Sequence, residues 1–150
     1  MITARVTDRP LDTGAEVAAR DAGDGQSGAL VSFTGQVRAD DGLTALTLEH
    51  YPGMTERALT AIAERAAARF ALTGLSVAHR VGRMAVGETI VVVVAAAAHR
   101  RAAFDGAAYV MDRLKTDAPF WKCEEGPWGR RWVEPRPGDD RAAARWAEPG

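Results

Sequence analysis

Thr89 to Ala97 reads Thr-Ile-Val-Val-Val-Val-Ala-Ala-Ala, an apolar run with no charge and no turn former. Consecutive valines favour an extended chain, because branching at Cβ suits a pleated surface and stiffens χ1. A run with no polar face has to be covered on both sides, so it predicts a central strand with other elements packed above and below it. It is too short to cross a bilayer.

A helix pattern follows at once. Phe104, Ala107, Ala108, Met111 and Leu114 recur at three- and four-residue spacing and are the expected buried face. Pro119 cannot continue the helix and biases Ala118 away from helical geometry. Lys115 therefore falls in the last turn, and Lys122 lies beyond the break on an extended aromatic segment. His99 and Arg100 sit at the other end, where a strand passes into a helix. Free amide groups and the helix dipole favour an anion there, and arginine adds a forked donor. The plainer alternative is that His99 caps the helix and Arg100 is solvated. About sixteen residues at ~1.5 Å each separate the two ends by roughly 24 Å. One small ligand cannot reach both ends of a straight helix in a single chain, so a site shared between two copies is expected.

The remaining pattern is β-β-α-β-β-α-β-β, with a weak edge strand over Ile2 to Val6 and a short helix capped by Asp12 or Thr13. Gly28 to Arg38 and Leu43 to Tyr51 alternate in polarity around Asp40-Asp41-Gly42 and read as a hairpin or near-neighbour antiparallel pair. Thr55 is the expected N-cap of a helix to about Phe70, with Leu59, Ile62, Ala63, Ala66 and Phe70 buried and Gly74 as terminator. Leu75 to Val81 is a further strand. Trp121 to Glu124 and Arg130 to Glu134 form a hairpin. These elements argue for one α+β domain over residues 1–136, a mostly antiparallel sheet with two main helices, followed by a tail over 137–150 that is mobile or held only through Trp146.

Net charge is −1, with 26% charged residues, so no global field points to nucleic acid or an anionic membrane and any anion site must be local. The single cysteine, Cys123, rules out an internal disulfide. The three histidines show no metal-ligand spacing, and no metal or cofactor is expected. His50 and His79 lie inside alternating strands and read as structural. The N-terminus has no long apolar core, so no signal peptide is expected and the chain reads as cytoplasmic. Trp121, Trp128 and Trp132 are expected in the hairpin core rather than as a base-stacking platform. Aromatic density of that order also marks an interface, and a homodimer is expected.

Leu114-Lys115-Thr116 and Ala118-Pro119-Phe120-Trp121-Lys122 resemble the large, catalytic subunit of molybdopterin synthase, the MoaE family. Phe33-Thr34-Gly35-Gln36-Val37-Arg38, Leu46 to Met54, His79-Arg80-Val81-Gly82, Ala98-His99-Arg100 and Arg131-Trp132-Val133-Glu134 follow in the family's order. The likeness covers roughly residues 28–136, and several words in order are far more specific than any one of them.

The resemblance implies an α/β-hammerhead-like fold with a small extra β-subdomain. It implies a homodimer in which each protomer binds a small ubiquitin-like, MoaD-like subunit by its Gly-Gly C-terminus. The implied reaction converts cyclic pyranopterin monophosphate to molybdopterin, with sulfur supplied by that subunit's thiocarboxylate. Lys115 and Lys122 are the implied catalytic residues. Gln36, Val37, Arg38, His99, Arg100, Cys123 and Glu124 join them around the substrate, and Phe33, Met111 and Arg136 belong to the channel for the partner's tail. Gln36 and Cys123 stand where the family pattern carries basic residues, which removes charge from the pocket. A thiol beside a lysine also suggests a nucleophile, but Cys123 is expected to be incidental. The alternative from another class is a non-catalytic dimeric module that holds a phosphorylated ligand or a partner's tail. A lysine beyond the helix break favours the enzyme.

Overall fold

The computed structural model describes residues 1–21, 23, 25–133 and 142–147. The chain runs β1 (Ile2–Thr7), α1 (Thr13–Arg20), β2 (Ala29–Gln36), β3 (Ala45–His50), α2 (Met54–Phe70), β4 (Gly74–Arg80), β5 (Gly82–Ala85), β6 (Thr89–Ala97), α3 (Arg100–Asp117), β7 (Phe120–Gly126) and β8 (Gly129–Val133). A short 3₁₀ turn, Asp40–Gly42, joins β2 to β3. The strands form two four-stranded sheets, ordered β1-β4-β6-β2 and β5-β3-β7-β8. Among the described residues only the β1–β4 pairing is parallel. This is the expected α+β class with a mostly antiparallel arrangement.

β6 is an interior strand flanked by β4 and β2, and Val91 to Ala97 are all buried. Its side chains alternate. Val91, Val93 and Ala95 meet Leu59, Ile62, Ala63 and Ala66 of α2 and Ala107, Val110 and Leu114 of α3. α1 packs on β4 and β6, with Asp12 accepting from the Ala15 amide as its N-cap. Burying a side chain such as Leu59 or Ile62 contributes roughly 1.5–3 kcal/mol, so the α2/α3 face of this sheet is the main source of stability. A smaller core of Val37, Leu43, Leu46, Leu48 and Met84 fastens the second sheet to the first.

Four expectations are corrected. β2 and β3 do not pair. β2 lies against β6 and β3 against β5 and β7, so the turn after Arg38 carries the chain from one sheet to the other. The chain crosses in the same direction from β4 at Gly82, whose φ of +92° lets it turn sharply out of one sheet and open β5. α2 is capped by Gly53 and Ala71 rather than by Thr55 and Gly74, and Ala71 takes the left-handed conformation (φ 51°) common for a terminating glycine. Phe104 is 58% exposed, and α3 instead buries Ala103, Gly106, Ala107, Tyr109, Val110 and Leu114. The tryptophans at 121, 128 and 132 are likewise exposed rather than core.

Trp146 docks on the outer side of α2 and α3. Its ring stands edge-on to Phe70 at 5.5 Å and Tyr109 at 5.7 Å, and Nε1 donates to Asp112 at 2.6 Å.

Candidate active site

The two sheets meet at an open cavity of about 610 Å³. The end of β2 and the residues after it form one wall, from Phe33 through Gln36 and Val37 to Arg38. The strand is irregular here. Gly35 lies opposite Val91 but Gln36 lies opposite Thr89, a bulge that turns the end of β2 away from regular pairing. Val37 is then pinned by two backbone bonds to the β5–β6 turn. Its amide donates to the Glu88 carbonyl at 2.9 Å, and its carbonyl accepts from Gly87 at 2.8 Å. The turn is itself held by the Glu88 carboxylate, which accepts from the Ala85 amide at 2.5 Å and from Arg80 at 2.6 Å. Arg80 and Ala85 hold the Glu88 carboxyl below its ordinary range. Arg38 projects from this fixed point. Its Nε contacts Asp40 at 2.7 Å, but its side chain is largely exposed. Such an exposed pair is worth roughly 0–1 kcal/mol, so an incoming anion can displace it.

The last turn of α3 supplies the opposite wall through Met111, Leu114, Lys115 and Thr116. Ala118 is extended (φ −87°, ψ 128°), as the following proline requires, and the chain turns directly into β7. Alternation along β7 then places Phe120, Lys122 and Glu124 on the cavity side. Lys115 and Lys122 thus come from two elements joined by a two-residue corner, Ala118 and Pro119, and face one space. Glu124 is buried and pairs with Arg131 at 3.5 Å. Leu46, Leu48 and Val133 add an apolar floor.

Cys123 does not line this cavity. It is buried on the opposite side of β7, where a charged substrate cannot reach it. His99 and Arg100 do not line it either. They form a separate shallow surface with Arg101 and Phe104 at the far end of α3. His99 holds the N-cap position but makes no side-chain capping bond. The separation inferred from helix length therefore holds within one chain. Arg136 lies outside the described residues.

His79, read from sequence as structural, is part of the cavity wall. Its ring stacks on Phe120, with centroids 4.1 Å apart. Burial pushes its pKa down to about 4. A bond to the Arg80 carbonyl opposes that shift, and the charge of Lys115 adds to it. No spacing rule marks such a residue, because it is a single histidine within an alternating strand. Among the described residues no group of three or more His, Cys, Asp or Glu is placed to hold a metal ion. No described helix is long and apolar enough to cross a membrane.

Two linked sheets, a helical layer and a cavity with cations on facing walls define an α+β domain built around a basic, half-apolar pocket. The MoaE protein family matches residues 6–117. The molybdopterin synthase catalytic subunit of Caulobacter vibrioides is 51% identical over 142 residues, covering 94% of this chain and 95% of that protein. The Salmonella typhimurium protein of the same name is 50% identical over 143 residues, covering 91% and 93%. A solved structure, the molybdopterin biosynthesis MoaE protein of Burkholderia ambifaria, superposes with a TM-score of 0.84 at 48% identity, covering 97% of this chain and 98% of that one. The chain belongs to the MoaE family.

Proposed function

We propose that this chain is the catalytic subunit of a molybdopterin synthase and acts as a sulfurtransferase. Its substrate is cyclic pyranopterin monophosphate. The sulfur donor is a small ubiquitin-like, MoaD-like subunit carrying a C-terminal Gly-Gly thiocarboxylate. Each donor's sulfur forms a new bond to the pterin side chain, water then cleaves the bond between that sulfur and the donor's acyl carbon and supplies the oxygen of the carboxylate that leaves, and two such transfers complete the dithiolene. The carrying observation is the meeting of Lys115, Lys122 and Arg38 around one cavity that also has an apolar floor.

Arg38 holds an anionic group of the pterin, with Gln36 donating a neutral hydrogen bond beside it. Lys115 and Lys122 stabilise the negative charge that develops as sulfur leaves the acyl carbon, where prepositioned cations do most. Phe33 and Met111 line the cavity and suit the small, extended Gly-Gly tail. His99 and Arg100 serve a second copy: in a homodimer they bind the phosphate beside the partner's lysines. The exposed Trp121, stacked edge-on with Tyr51 at 4.4 Å, and the exposed Trp132 suit a self-association face. The reaction is read as cytoplasmic.

The test is reconstitution of the purified chain with thiocarboxylated donor and pterin precursor, followed by detection of the dithiolene product. A protein that binds both reactants and yields no product would be a binding module instead.

A further inference from the structure

Glu88 lies outside the cavity, yet three segments of the chain meet on it. Its backbone carbonyl accepts from the Val37 amide at 2.9 Å, and the neighbouring Gly87 amide donates to the Val37 carbonyl at 2.8 Å. Gly87 has a φ of +90°, which strains any residue with a side chain, so the turn has a defined shape. The Glu88 carboxylate braces that turn. One oxygen accepts from the Ala85 amide at 2.5 Å and the other from Arg80 Nη1 at 2.6 Å. Arg80 is buried at the end of β4, its Nε has no hydrogen-bond partner, and among the described residues Glu88 is the one carboxylate that pairs with it. Separating such a pair would leave a buried charge uncompensated, so the contact resists opening. β2 has lost its regular pairing by this point, because its register shifts between Gly35 and Gln36. The backbone at Val37 is therefore set by the turn, and Arg38 is the next residue. The Arg38 side chain is largely exposed, with Asp40 as its ion-pair partner, so its starting direction comes from the backbone.

We propose that Glu88 is a positioning residue for anion binding at Arg38: tied to Arg80 and Ala85, it fixes the turn that grips Val37 and so presents Arg38 to the cavity in one direction. An arginine recognises an oxyanion through a planar fork, and the fork aligns only when its root is fixed. A shift of about 1 Å in the backbone at Val37 carries the guanidinium with it, and misplacement of that order is enough to weaken recognition severely. The carboxylate does not compete for the anion's place. Both of its oxygens are occupied on the turn, and Arg80 offsets its charge.

The inference rests on the sulfur-transfer reading for its kinetic arm and is independent of it for the other. Glu88→Ala removes both carboxylate bonds and keeps the backbone carbonyl that holds Val37, and Glu88→Gln keeps an acceptor for Ala85 without the charge. In the reconstituted reaction Glu88→Ala is expected to raise KM for the pterin about fivefold or more with kcat within about twofold, and Glu88→Gln to fall between it and wild type. In an Arg38→Ala background the same substitution is expected to change KM by less than about twofold, because the arginine it acts through is gone. An unchanged KM in Glu88→Ala, or an equal rise in both backgrounds, assigns Glu88 to the fold alone and overturns the proposal. The second arm needs no turnover. Inorganic phosphate is titrated onto the protein without donor or pterin, and the Arg38 Nε–H signal is followed by ¹⁵N NMR. The signal is expected to shift saturably in wild type, with affinity about threefold or more weaker in Glu88→Ala. An Arg38 signal indifferent to phosphate, or one that titrates equally in both proteins, overturns the proposal whatever the activity. If the wild-type protein makes no dithiolene, the functional reading fails and the phosphate titration still decides the role of Glu88.

Discussion

The Thr55 hydroxyl donates to the Pro119 carbonyl at 3.1 Å, joining the first turn of α2 to the corner between Lys115 and Lys122. The same oxygen accepts from the Tyr51 amide at 3.0 Å, and Thr55 is fully buried. Thr55→Val keeps the shape and strands both partners, so it is expected to cost about 1–3 kcal/mol in urea unfolding. It should also slow sulfur transfer, because the corner that sets the angle between the two lysines loses its tether. Thr55→Ser, which keeps the hydroxyl, should retain most of both. Equal activity in Thr55→Val and wild type would show that the tether does not serve the site.

Cys123 points away from the cavity. Cys123→Ser is therefore expected to keep its turnover, with a stability loss of about 1 kcal/mol from placing a hydroxyl in a buried apolar position. A folded Cys123→Ser protein that binds the donor but transfers no sulfur would make the thiol a participant.

His79 also gives stability a pH dependence. In the unfolded chain an imidazole takes up its proton near pH 6.5, whereas the folded protein resists until about pH 4. Between those values only the unfolded state gains the proton, so stability is full above pH 6.5 and falls as pH drops toward 4. The complete loss is of order 3 kcal/mol, from about 1.4 kcal/mol per pH unit. Urea midpoints across this window should decline more steeply for wild type than for His79→Phe. Parallel curves would show that burial does not hold the ring neutral.

The proposed sharing of the site between two copies is tested by complementation. Lys115→Ala should fold, dimerise and bind the small subunit while losing product formation. So should a protein carrying both His99→Ala and Arg100→Ala. Mixed under conditions of subunit exchange, the two are expected to regain part of the activity, because some heterodimers hold one intact site. Exchange without recovery would place the whole pocket in one chain.

Much of this fold was legible. β6, α2, α3 and the β7–β8 hairpin carry strong periods or firm punctuation, such as Pro119, and their positions follow from burial alone. The division into two sheets was not legible, because two alternating strands around a short turn look the same whether they pair with each other or with strands from elsewhere. The buried face of α3 was misread for a related reason. Hydrophobicity ranks Phe104 above Gly106, yet Gly106 faces the core: a Cβ there would lie 3.0 Å from Leu72. Close packing selects the smallest residue where a hydrophobicity scale selects the largest. At the site, the residue types and helix break pointed to an anion near Lys115 and Lys122. Gathering Gln36 and Arg38 beside them took the family likeness, and His79 left no pattern to find.

The α3 helix begins at His99 and Arg100 and ends at Lys115, with a buried stripe between. Its length is thereby a specification in its own right. One residue inserted or removed along it would turn Lys115 about 100° around the axis and displace it by ~1.5 Å, swinging the amine out of the cavity even if each side chain were kept. The count of residues between the two basic ends is thus expected to resist insertion and deletion more strongly than any single identity within it, while the exposed turn at Asp40–Gly42 can change length without altering which way a lysine faces.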